Sequence, residues 1–160
     1  MPAPRRLFYA CAACLCASPA LAQSTGNVQF NGVVLDSCIV VVGTPGLLQP
    51  NAQSNALSSA ETGGLPGLAT VTATSADFDL EVDPPVAFAS APAGAETNAA
   101  FAASYSAAGA TNATDTPAGA PTSLGFGVTA VTVNASATKS AGAFPAGAYQ
   151  LETVVRCVAS

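Results

Sequence analysis

The sequence predicts an all-β fold, a sandwich of about seven or eight short strands. Three observations carry this. Thr, Val, Ser, Gly and Pro dominate, and Ala is scattered through Gly/Pro-rich stretches that would not sustain a helix. Short β-branched or alternating runs recur between turn signals. Two cysteines, Cys38 and Cys157, lie near the two ends of the exported chain.

The elements follow in order. Val28-Gln29-Phe30-Asn31-Gly32-Val33 alternates and reads as a first strand; Cys38 to Val42 is a buried-type β run, and Gly43 to Gly46 turns the chain. Leu47 to Gly67, with Gly63-Gly64 and Pro66, reads as loop with short strand pieces. Thr70 to Thr74 and Phe78 to Val82 are two strands around Ser75-Ala76, and Pro84-Pro85 ends the second. Ala100 to Ser106 is a strand, and Thr111 to Pro121 is a long turn-rich connection. Val128 to Asn134 continues into Ala135 to Thr138, and Ala148 to Val158 is the closing strand. No internal repeat is evident.

Residues 1–22 have the layout of a cleaved signal peptide. Arg5 and Arg6 form a positive start, Leu7 to Ala17 is an uncharged apolar run, and Ala20-Leu21-Ala22 before Gln23 is an A-x-A cleavage site. The run is too short for a membrane-spanning helix, which needs roughly 20 apolar residues. A twin-arginine signal fits less well, because Pro4 stands where Ser or Thr is usual. A lipoprotein signal also fits less well, because Cys11, Cys14 and Cys16 lack a good small-residue box. The expectation is an exported product of residues 23–160, a single domain released to the periplasm, cell surface or medium and not membrane-spanning.

Excision changes the charge and cysteine counts. Residues 23–160 keep nine acids against Lys139 and Arg156, a formal net charge of −7. Such a chain repels phosphate backbones and anionic membranes, so nucleic acid is not an expected partner. Cys38 and Cys157 remain, and an isolated pair in an oxidising compartment is most simply a disulfide. The alternative is two free thiols, but the chain has no histidine to activate one. A bridge would bring the two Cα atoms within about 7 Å, placing the first and last strands side by side or face to face.

Gly26 to Cys38 (GNVQFNGVVLDSC) resembles the opening of chaperone–usher pilus subunits, G-x-V-x-F-x-G-x-V-x-x-x-C. Gly142 to Tyr149 (GAFPAGAY) resembles the end of those subunits and of the spore coat protein U domain. The middle of the chain is similar to these families only in composition. The resemblance implies an immunoglobulin-like, pilin-like sandwich that lacks its last strand. A neighbouring subunit would supply that strand along the edge, after a periplasmic chaperone has covered it. In typical pilins the early cysteine pairs with one about 40 residues later, whereas here only Cys157 remains. A Cys38–Cys157 bridge would tie together the strands that flank a pilin's groove. With Val28 as the start of the first strand, only Gln23 to Asn27 are left to donate. Both departures point to a self-contained pilin-like domain.

Chemistry is scarce. Without histidine or an expected free thiol, the common triads and zinc sites are absent. Lys139-Ser140 would point to opposite strand faces. Gly125-Phe126-Gly127 and Gly63-Gly64 lack the context of a phosphate loop. The most distinctive polar set is Asp77, Asp79, Glu81 and Asp83, whose period of two puts them on one face opposite Phe78, Leu80 and Val82. That face reads as solvated and aggregation-resistant. Calcium is the sharper alternative, although carboxylates two apart on a straight strand are about 6.5–7 Å from each other, too far for compact coordination. No cofactor and no enzymatic activity are expected. The function expected is a structural or adhesive cell-surface role, meeting other copies or pilus-like subunits through a strand edge. The alternative is a monomeric ligand-binding module using loops Leu47 to Gly67 and Thr111 to Pro121.

Overall fold

The computed structural model describes residues 25–160, so the expected signal segment 1–22 and its Ala22–Gln23 junction lie outside the described residues. Residues 34–160 form one compact unit. Its first layer is organised around the longest strand, β10 (Gly127–Lys139). On one side β10 pairs antiparallel, from Thr129 to Lys139, with β7 (Ala99–Gly109), which also pairs with β8 (Ala113–Pro117). The other side is shared by two strands. The first half of β10 takes β4 (Gly67–Ala73) and the second half takes β3 (Ala56–Ser58). Beyond these lie β1 (Cys38–Val42) on β4 and β2 (Gln49–Pro50) on β3, completing a seven-stranded sheet.

The second layer comes from two smaller sheets. β12 (Val155–Ala159), β5 (Phe78–Val82) and β9 (Thr122–Ser123) form one; β11 (Gln150–Leu151) and β6 (Phe88–Ser90) form the other. The described residues hold strands and no helix. The number of strands, twelve, exceeds the expected seven or eight because five pieces are only two or three residues long.

Alternation builds the core. Val71, Val131 and Tyr105 point inward from the large sheet and meet Leu80 and Val82 from β5. A second cluster joins Leu57 and Ala137 to Phe88 and Phe144. Its rings meet edge-on, with Phe88 4.9 Å from Phe101 and 5.1 Å from Tyr149. This layering is consistent with a β-sandwich. Gly109 closes β7 with φ +124°, and a Cβ there would stand 2.6 Å from the Val128 carbonyl oxygen, so only glycine fits without a shift.

Most expected strands are present. Cys38 to Val42 and Phe78 to Val82 have the expected bounds, whereas Thr70–Thr74, Ala100–Ser106 and the closing strand shift or split. Val128 to Thr138 forms the single strand β10, and Thr111 to Pro121, expected as a connection, contains β8. The main correction is at the start. Residues 28–33 are not in a strand, and the first strand begins at Cys38. Alternation prepares a segment for pairing, but a strand forms only where a partner edge takes up its backbone groups.

Candidate functional site: an open groove between two strand edges

A groove of about 880 Å³ runs along one side of the sandwich. One wall is the stretch 42–50, which continues from β1 into β2; the other is 144–155, which leads through β11 into β12. Leu57, Ala69 and Val133 form part of the lining from the sheet between them. Each wall is bonded on its far side. Leu47 exchanges backbone hydrogen bonds with Leu65, Gly43 donates to the Leu68 carbonyl, and the Val154 carbonyl accepts from the Asp83 N–H. Across the groove, no backbone hydrogen bond joins 42–50 to 145–155 among the described residues.

The register Cys38↔Ala73, Val40↔Val71, Val42↔Ala69 puts Val42 on the inward face with Cys38 and Val40, both of which pack against the core. Yet Val42 is 75 % exposed, an inward-facing aliphatic side chain that no described residue covers. Leu47 and Val154 on the two walls are also exposed.

The groove is tied at both ends. At one end Cys38 and Cys157 form a disulfide, with Cα atoms 6.2 Å apart, linking β1 to β12 across the layers. At the other, the Phe144 N–H donates to the Ser54 carbonyl at 2.7 Å. The expected bridge is therefore present and sets the first and last strands of the compact unit face to face. It does not close the slot, which opens beyond the bridge along 42–50 and 144–155.

Tyr149 lies among the aromatic rings of the second cluster, and its hydroxyl donates to the Pro145 carbonyl. Burial raises its phenol above the ordinary tyrosine value, so it remains a neutral donor. Apart from Tyr149, Glu152 is the only titratable side chain lining the groove among the described residues. The surface is suited to holding an extended apolar segment. Of the two loops expected to form a ligand site, 47–67 contributes Leu47, Leu48 and Leu57 to the lining, while 111–121 contributes nothing.

The acidic set lies elsewhere. Asp79 and Glu81 project from β5 with Asp77 and Asp83 flanking it, and Arg156, opposite Glu81 on β12, binds two of the four. Its guanidinium is 2.8 Å from both the Glu81 and Asp83 carboxylates. Among the described residues no group of three or more His, Cys, Asp or Glu side chains is placed to hold a metal ion. Sequence reasoning missed this role of Arg156, although a base one residue before Cys157 falls on the outward face of an alternating strand. Lys139 is also engaged: its amino group donates to the Gly94 and Thr97 carbonyls and stands 5.4 Å from the Phe144 ring centroid. That use separates it from the Ser140 hydroxyl, whose contact is the Asn98 carbonyl.

The segment before β1 carries exposed apolar side chains. Val28, Phe30 and Val34, at intervals of two with Gly32 between, are 77 %, 91 % and 94 % exposed. No family model, curated protein or solved structure matches the chain. No helix among the described residues is long and apolar enough to cross a membrane.

Proposed function

We propose that the mature chain is an exported structural or adhesive subunit, resembling fimbrial and spore-coat-U-like subunits. Its immunoglobulin-like sandwich takes an additional strand in the groove between 42–50 and 144–155. The strand comes from residues 28–35 of another copy. The observation that carries this reading is the uncovered inward face at Val42 between two strand edges that do not bond to each other.

The donor matches the acceptor in length and pattern. Eight residues in extended form span about 26 Å, similar to the nine-residue wall 42–50. Val28, Phe30 and Val34 would face the apolar floor, with Gln29, Asn31, Val33 and Leu35 on the opposite face. Burying Phe30 alone would contribute about 2–3 kcal/mol. The added backbone would bond to the two wall edges, the usual source of affinity in strand addition. Because the chain is first anchored at Ser37, which bonds Thr74 just before β1, the stretch available to donate is 25–36 and not merely the five residues before Val28. A periplasmic chaperone would cover the same groove before assembly.

Size-exclusion chromatography and unheated SDS gels of the purified mature protein test this. Ladders that collapse to one band on heating are expected, and Phe30→Asp should leave only monomer. A wild-type protein that stays monomeric at all concentrations would overturn the reading and favour a monomeric binding module.

A further inference from the structure

We infer that the Cys38–Cys157 bridge makes strand capture redox-dependent: the groove accepts a donor strand when the bridge is formed and loses most of that capacity when it is reduced. This rests on the groove being a strand acceptor, as proposed above.

The argument comes from where the bridge sits. Val42 lies four residues beyond Cys38 on one wall, and Val155 lies two residues before Cys157 on the other. Among the described residues β1 pairs only with β4 and β12 only with β5, so each wall grows out of an edge strand held from one side. Between the bridge and the Phe144–Ser54 hydrogen bond, no backbone bond among the described residues spans the slot. The bridge is thus the covalent tie that sets wall spacing at one end. An added strand must bond to both walls at once, which requires them about two strand spacings apart, roughly 9–10 Å. Untied edge strands fray, and the added strand would then bear the entropy of ordering them.

The chemistry is ordinary exchange with a dithiol. One thiolate attacks Sγ of either cysteine and breaks the protein S–S bond. The second thiol of the reagent, as thiolate, then displaces the remaining protein sulfur and closes a cyclic disulfide. Two electrons pass to the protein, the reagent is oxidised, and Cys38 and Cys157 end as two thiols carrying the reagent's protons. Because coupling is reciprocal, a strand in the groove must also make the bridge harder to reduce.

The probe is a labelled synthetic peptide with the sequence of residues 25–37, titrated into dilute mature full-length protein and into C38S/C157S, with folding followed by circular dichroism. The expected result is binding to wild type and at least tenfold weaker binding to the folded double variant. Equal binding to both would overturn the redox dependence and leave the strand-acceptor reading standing. No binding to the oxidised wild type would bring down both. Should the double variant not fold, the wild-type bridge is reduced by dithiothreitol with and without saturating peptide. Reduction slowed severalfold by the peptide, but not by its Phe30→Asp form, is expected; equal rates would overturn the inference.

Discussion

At the scale of single residues, buried polar groups and their partners decide most of the local stability. Tyr105 is fully buried in the first core cluster, and its hydroxyl is 2.8 Å from the Ala120 carbonyl and 2.7 Å from Thr122 Oγ1. It ties the connection between β8 and β9 to the core. Tyr105→Phe keeps the ring and leaves those oxygens short of a partner, so it should cost about 1–3 kcal/mol in urea denaturation with an unchanged m-value. Arg156 is the contrasting case. It bonds two carboxylates but is half exposed, as surface ion pairs usually are, so Arg156→Ala should cost at most about 1 kcal/mol, and less still in high salt. Its loss would nevertheless leave Asp77, Asp79, Glu81 and Asp83 with no cation bonded to them.

At the scale of elements, the prediction concerns the segment ahead of β1. Phe30 and Val34 are almost fully exposed, so Phe30→Asp or Val34→Asp should leave the melting temperature of the monomer unchanged within about 2 °C, a surface effect below about 0.5 kcal/mol. The same substitutions should abolish assembly on unheated gels. A large fall in melting temperature would mean that these side chains are buried within their own chain. The contrast between this segment and β5 shows what the sequence reveals. Phe78 to Val82 alternates, has partners on both sides, and is legible to the residue. Residues 28–33 alternate equally well and form no strand, because periodicity records a demand for a partner and not which chain meets it. β8 was hidden for the opposite reason: its short Ala113–Pro117 run sits among turn residues, and the β7 edge imposes strand conformation on it. The groove itself had no local signal. It is the gap between stretches about 100 residues apart, and only the cysteine pair pointed to that edge of the molecule.

At the scale of the whole molecule, two global quantities act on folding and assembly. The first is chain closure. The bridge spans a sequence separation of 119 residues, so it restricts nearly the entire unfolded chain. In the chain-entropy model that is worth about 4–5 kcal/mol, an upper value if the denatured state keeps structure. C38S/C157S should therefore unfold at markedly lower denaturant, and the loss should appear in thermal melts by circular dichroism. The second is charge. Residues 25–160 hold nine acids against Lys139 and Arg156, and both of these are engaged within the chain. Copies would therefore approach one another against like-charge repulsion, while the proposed donor stretch 28–35 and the groove lining contribute only Glu152 as a charged group. Added salt should screen the repulsion without weakening the apolar contacts that hold the strand. The Debye length falls from about 30 Å at 10 mM salt to about 8 Å at 150 mM, so the proposed assembly of residues 23–160 should accelerate severalfold over that range. Light scattering at fixed protein concentration gives the sign directly. A rate that falls with salt would mean that ion pairs between copies drive association, and strand donation by residues 28–35 would then not be the contact that joins them.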